Sequence, residues 1–489
     1  MSLNPDQHLD RVKPKAFLIW LCGATLLALV MRLLFLDRPS FWIDEIYSVM
    51  HASRLGEGNL TKQFGFLPTY LTLKLFGALP PAEIATDPSS WMRLGVTEWL
   101  VRIPSVFIGT LTVFVLGWLA RPVVGARTAI IFAFLLAVST WHLHMSQTGR
   151  FYTQQLLFFN MAMLLYFRAT SIGDVRRLVA SMVCLFLAFM SQPPAILLGV
   201  VLAIDWLLGF LDKDARRLTW PSVVAGGVTA ALCCGLLAYD IYRNTDNWAQ
   251  FGQTTSQTTP VVLAGAVWYM NPIVALAAGA GFLCLIQRSF RLSLYLLMVA
   301  FVPLLIMAGL AFTDFFVHVR YTFVILPAWL LLAAVALDRI SLSLIGEYPF
   351  FIRHLAVAMV LVMCIYQDLE YYTAGGGYQP AWREMFDELK HTKQPGEIVY
   401  GDFHAEMLGA YYLEEQNAIT KVTRKSLMPF LDEATEPCWI IDKVGTSGGL
   451  NWPALRDRAD LIWTYDRHIM QPYSSIKLFR YTPASTGSE

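Results

Sequence analysis

Charge is scarce in this sequence. Only 15% of its 489 residues are Asp, Glu, Lys or Arg, and the net charge is +1. Soluble domains carry about 25% charge, so a chain this poor in it, 56% hydrophobic and with apolar runs of membrane-spanning length, reads as a polytopic membrane protein. No Lys/Arg-rich block interrupts it, which leaves no electrostatic footprint for nucleic acid. Cysteine is scarce too. Of the seven, six (Cys22, Cys184, Cys233, Cys234, Cys284 and Cys364) fall in apolar segments and only Cys438 lies in a polar stretch. Without a Cys-x-x-Cys or Cys/His ligand spacing, neither a zinc site nor a disulfide framework is indicated. A cleaved signal is missing as well: the run Phe17 to Leu36 exceeds a signal-peptide core and no small-x-small cleavage site follows it.

What is present is a succession of apolar segments with basic connections. A leader over 1–15 carrying Arg11, Lys13 and Lys15 places the N-terminus inside by the positive-inside rule. Residues 16–372 then read as about eleven spans, N inside and C outside. Basic residues in the first outer loop, 37–102, run against that orientation. A loop of about 60 residues is only weakly governed by the rule. Its aromatic residues and single charges at helical spacing predict helices lying in the membrane interface, with a re-entrant segment as the alternative. From 373 to 489 the composition changes, and alternating helix and strand patterns predict a small extracytoplasmic α/β domain ending in a disordered tail.

The functional candidates cluster where the first span ends. In Ser40-Phe41-Trp42-Ile43-Asp44-Glu45-Ile46-Tyr47-Ser48 two adjacent carboxylates sit just beyond the hydrocarbon. An acidic pair there either faces water or a cationic ligand, or Asp44 simply caps the following helix. Helical phase puts Asp44, Tyr47, Ser48 and His51 on one polar face, and Glu45 with Val49 and Ala52 on another, which favours Asp44 for chemistry. On the expected topology Asp44, Glu45, His142, His144, Arg150, Asp240, Arg243, Asp314, His318 and Arg320 all fall at outer span ends. Arg150 with Tyr152, and Arg320 with Tyr321, suit a phosphate group, because guanidinium binds its oxygens bidentately and stays charged. Snorkelling to lipid headgroups would account for the same pairs.

These motifs resemble integral-membrane glycosyltransferases of the C type, including protein O-mannosyltransferase-like and lipid A aminoarabinose transferase-like enzymes. Trp42-Ile43-Asp44-Glu45 is similar to their Trp-x-Asp-Glu loop, and Leu67-Pro68-Thr69-Tyr70 to their Pro-Pro-Leu-Tyr segment. Val101-Arg102-Ile103-Pro104-Ser105 resembles the second span, Gln147-Thr148-Gly149-Arg150-Phe151-Tyr152 the entry to the fourth, and Arg320-Tyr321 to Pro327 a late span. Thr148 stands where relatives carry Glu, and Phe66 and Leu67 stand where they carry His or Lys; Lys62 is the candidate substitute.

The resemblance implies sugar transfer from a polyprenyl-phosphate carrier to a glycolipid, polysaccharide or protein acceptor outside a bacterial inner membrane, on the periplasmic face. One carboxylate suffices to take the acceptor proton, and the departing phosphate needs only cations. Asp44 is the expected base and Glu45 its support or an acceptor contact. Arg150, Tyr152, Arg320, Tyr321 and Lys62 are expected to hold the donor phosphate, with His51, His144, Asp314 and His318 in supporting places. No cofactor is required, although Asp44, Glu45 and Asp314 could bind a divalent metal. The competing readings are a flippase or transporter of lipid-linked sugars, and a polymerase or ligase using undecaprenyl-diphosphate donors.

Overall fold

A computed structural model describes residues 12–57, 60–209, 219–243, 257–313, 317–339, 349–373, 376–443, 455–465 and 475–483. The chain is mostly helical and divides into two compact units. One comprises residues 1–34, 59–66 and 103–370, the other 35–58, 67–102 and 371–489. The first outer loop and the C-terminal segment, separate in the sequence-based division, thus belong largely to one unit.

Six described helices are long and apolar enough to cross a bilayer: Pro14–Leu33, Glu98–Val124, Trp220–Arg243, Phe290–Phe312, Val319–Arg339 and His354–Tyr372. Two bent pairs meet the same test: Ala126–Ala137 with Thr140–Ser146, and Thr259–Met270 with Pro272–Ile286. The other three of the eleven expected spans correspond to Tyr152–Ile172, Val175–Ser191 and Pro193–Gly209, which are shorter or more polar. The protein is therefore a multi-pass membrane protein, with six to eight clear spans among the described residues.

Both bends have a local cause. At 88°, the second is made by Asn271 at φ 75°, whose side chain accepts from the Ile273 amide at 3.1 Å while Pro272 starts the next helix. The resulting half-helix packs closely on Leu326–Arg339. A Cβ on Gly281 would meet the Leu332 carbonyl oxygen at 1.8 Å, so only glycine permits this approach. The first bend, 57°, frees carbonyls at the end of Ala126–Ala137. Arg32, fully buried in the first span, supplies donors: Nη1 to the Ala137 carbonyl at 3.2 Å, Nη2 to the His142 ring at 2.7 Å and Nε to Ser146 Oγ at 3.1 Å. A buried guanidinium near the end of an apolar helix is tolerated here because its donors are paired.

In the second unit a five-stranded sheet has the order β2-β1-β3-β5-β4, with β1 Ile398–Gly401, β2 Thr420–Lys421, β3 Cys438–Lys443, β4 Asp460–Tyr465 and β5 Ile476–Tyr481. β1 pairs in parallel with β2 and β3, whereas β5 runs antiparallel to β3 and β4. Helices Trp382–Thr392 and Phe403–Leu413 cover it. One hydrophobic core joins Trp382, Phe386, Leu408, Tyr411, Trp439 and Ile441 from this domain to Phe41, Ile46, Val49, Trp91 and Val101 from the first loop. That burial explains why the loop is too apolar for a linker. Leu71, Leu75 and Phe76 remain exposed on the same loop.

Candidate active site

The two adjacent carboxylates lie on the helix Ile43–Ser53 and have opposite fates. Glu45 is 0% exposed. Arg102 grips it through Nε to Oε1 and Nη2 to Oε2, each 2.8 Å. The same guanidinium donates from Nη1 to the carbonyls of Leu36 at 2.9 Å and Pro39 at 2.8 Å, and from Nη2 to that of Ser40 at 2.9 Å. All five donors of Arg102 are used, so it fixes both the 36–40 turn and the helix after it. Sequence reasoning treated Arg102 only as a span boundary. Its signal was a single Arg bordering an apolar segment, the counterpart of the acidic pair that borders the first one.

One residue earlier, Asp44 points another way and is partly exposed. It is not the helix cap: Trp42 occupies that position, and the Trp42 amide donates to Glu45 Oε2 at 3.4 Å. Asp44, Tyr47 and His51 form the outer stripe, while Glu45, Ile46, Val49 and Ala52 face inward. Ser48, expected on the polar face, is buried and returns its hydroxyl to the Asp44 carbonyl at 3.1 Å.

Around this helix runs a second polar cluster. Tyr412 Oη donates to Glu98 Oε1 at 2.8 Å and accepts from the Phe41 amide at 2.6 Å, and Arg383 pairs with the same Glu98 oxygen. Burial, then the Glu98 charge, push the Tyr412 phenol well above its ordinary range, which keeps it a donor. Ser40 Oγ donates to Glu384 at 3.1 Å and accepts from the Arg383 amide at 3.0 Å. The loop bearing Asp44 is thereby held by the C-terminal domain in a rigid setting.

The phosphate candidates belong to the membrane unit. Arg150 follows the bend of Thr140–Ser146; its carbonyl accepts from Ser105 Oγ at 2.8 Å, and its guanidinium lies 4.5 Å from the ring centre of Phe151 and 5.5 Å from that of Phe66. Phe66, where relatives carry His or Lys, thus offers Arg150 an apolar platform rather than a second cation. Tyr152 is buried with its ring against Phe151. Arg320 lies 5.6 Å over the ring of Tyr321, and its amide donates to His318 Nδ1 at 3.2 Å, so His318 caps the turn that carries Arg320. His144 is buried and stacks on Tyr269, and His51 is exposed beside Tyr47. Two further polar residues expected at the outer ends turn inward: Asp240 accepts from the Thr61 amide at 2.9 Å, and His142 from Arg32. Lys62 lies on the helix Leu60–Leu75, but its side chain and the whole of Asp314 fall outside the described residues. Among the described residues no three His, Cys, Asp or Glu side chains converge as metal ligands.

A family model described as dolichyl-phosphate-mannose-protein mannosyltransferase matches residues 90–239, which include Arg102, the bend and Arg150. The chain also superposes on the crystal structure of ArnT from Cupriavidus metallidurans in the apo state, at TM-score 0.55 and 15% identity over 95% of this chain and 98% of that one. The fold is that of a C-type membrane glycosyltransferase. Two more structures share the C-type fold. ArnT from the same organism bound to undecaprenyl phosphate gives TM-score 0.51 at 15% identity, covering 96% of this chain and 98% of that one. The Archaeoglobus fulgidus oligosaccharyltransferase tethered to an acceptor peptide gives 0.52 at 12% identity, covering 93% and 73%. A search of curated protein sequences found no match. The matched family model is one of glycosyltransferases and covers about a third of this chain.

Proposed function

We propose that the protein transfers a sugar, with inversion, from a polyprenyl-phosphate carrier to an acceptor on the extracytoplasmic face of a bacterial inner membrane. One observation carries the assignment of the base: of two neighbouring carboxylates, Glu45 is locked by Arg102 and Asp44 is left partly exposed on a rigid helix. Asp44 takes the acceptor proton as the new glycosidic bond forms. Glu45 does not touch the acceptor; it holds the helix that presents Asp44. Arg150 and Arg320 stabilise the departing phosphate, whose charge needs cations rather than a proton. Tyr321, whose ring lies under the Arg320 guanidinium, and Lys62 are further donors in this reading. Tyr152, being buried, packs against Phe151 under Arg150. The undecaprenyl phosphate named for one ArnT structure fits this donor class.

The test is consumption of donor. Protein reconstituted in liposomes is offered a panel of polyprenyl-phosphate sugars, and release of free polyprenyl phosphate is measured. Release from one member identifies the sugar; no release from any member overturns the reading. The transport alternative draws on the broken helix at Asn271, since broken spans line the binding sites of many transporters. Movement of an intact lipid-linked sugar across the bilayer without its cleavage would favour it.

A further inference from the structure

Aromatic side chains of the second unit sort into two groups. Phe41, Trp91, Trp382, Phe386, Tyr411 and Trp439 are buried in the core. A row of four rings is not: His51, Tyr47, Phe403 and His404 succeed one another at centroid separations of 6.3, 6.3 and 6.2 Å, with Tyr47 and Phe403 stacked at 21°. The row starts on the exposed stripe of the Asp44 helix, Tyr47 being one turn after Asp44. It ends just past the carboxyl end of β1.

That end of the sheet is where open α/β folds bind ligands. The neighbouring parallel strands finish there too, bringing Lys421 from β2, its Nζ 5.0 Å from the ring centre of Phe403, and Lys443 from β3. At the head of the next helix, Asp402 accepts from the Ala405 amide at 2.9 Å and from His404 Nδ1 at 3.0 Å. Donating Nδ1–H to a carboxylate fixes the imidazole tautomer and makes Nε2 a hydrogen-bond acceptor. The row therefore combines ring surface, one oriented acceptor and one ammonium donor.

We propose that Tyr47, Phe403, His404 and Lys421 form the acceptor subsite of the transferase, and that the acceptor is a saccharide rather than a protein hydroxyl. This rests on the glycosyl-transfer reading above. The C–H face of a pyranose carries slight positive charge and is attracted to the negative π-face of an aromatic ring. Its hydroxyl rim needs acceptors and donors, which His404 Nε2 and Lys421 Nζ supply. A Ser or Thr side chain has one hydroxyl and no such face, and would use little of this surface.

The experiment uses the full-length reconstituted protein and the sugar donor that it consumes, with labelled disaccharides and Ser/Thr-containing peptides as competing acceptors. Transfer to disaccharide is expected. Phe403→Ala and His404→Gln should each raise the acceptor KM about tenfold, with the donor KM unchanged, and Phe403→Tyr should restore it. Transfer to peptide alone, or an acceptor KM insensitive to His404→Gln in protein of wild-type thermal stability, overturns the proposal. If no donor is consumed, the transfer reading fails separately. Disaccharide binding, followed by calorimetry in wild type and His404→Gln, then decides the subsite: binding weakened by the substitution retains it, and no binding removes it.

Discussion

Replacing Arg102 by Met deletes a guanidinium of which every donor is spent inside the protein. The Glu45 carboxylate would stay buried without its guanidinium partner, and the carbonyls of Leu36, Pro39 and Ser40 would lose the donors that Arg102 supplies. Breaking a buried pair by removing one partner costs about 3–5 kcal/mol. Three orphaned carbonyls would add about 1 kcal/mol or more each if they stayed dry. Relaxation of the 36–40 turn toward water will recover part of that, so about 4 kcal/mol is the expected loss. For a unit of this size each kcal/mol moves the midpoint by roughly 2–4 °C, giving a fall of about 8–16 °C. The assay is thermal unfolding in detergent, read by tryptophan fluorescence, since Trp42, Trp91, Trp382 and Trp439 all belong to this unit. The double substitution Arg102→Met with Glu45→Leu should recover much of the loss, because apolar groups of similar volume can replace a buried pair at little cost. A single-mutant midpoint within 2 °C of wild type, a margin of about 1 kcal/mol or less, would refute the reasoning.

Further outcomes follow from other contacts. Gly281→Ala should strongly lower the folded yield, since the added carbon would strike the Leu332 carbonyl, whereas Gly279→Ala, with open space around it, should be neutral; size-exclusion yield compares them. Burial alone would raise the Asp402 carboxyl, but His404, the Ala405 amide and Lys443 outweigh it and hold the group below the usual carboxylate range. Its stabilising contribution is thus complete above the unfolded value of about 3.9 and is lost as pH falls through the folded value; Asp402→Asn should flatten the decline in unfolding midpoint below about pH 4 and leave its pH dependence above that unchanged. Arg150→Lys keeps the charge but loses the planar fork, and should raise the donor KM about tenfold while leaving the acceptor KM unaltered in steady-state assays.

Much of the architecture was legible in the sequence. The apolar runs located the long helices, and the strands read at Cys438 to Asp442, Leu461 to Tyr465 and Ile476 to Arg480 fall within a residue of β3, β4 and β5. β1 ends at Gly401 because Asp402 caps the helix that begins at Phe403. The two-residue strand Thr420–Lys421 and the helix Arg424–Glu433 were missed: a pair this short has no periodicity to read, and Pro429 within the helix masks its pattern. The bend at Asn271 was absorbed into one span because a positive φ leaves no hydropathy signature. At the site, helical phase separated Asp44 from Glu45, but it could not reveal that Arg102 saturates Glu45. Nor could it show that residues 403 and 404 complete a row begun by His51 and Tyr47, because contacts so distant in sequence carry no local pattern.

The central claim is that Asp44 accepts the proton of the acceptor. It is tested most directly by the rate of polyprenyl-phosphate release from the productive donor, wild type against Asp44→Asn, at saturating acceptor and across pH. The account predicts a fall of about 10²-fold or more, with the acidic limb of the wild-type pH profile lost in the mutant. An Asp44→Asn protein that releases the carrier at the wild-type rate with the same pH profile would contradict it.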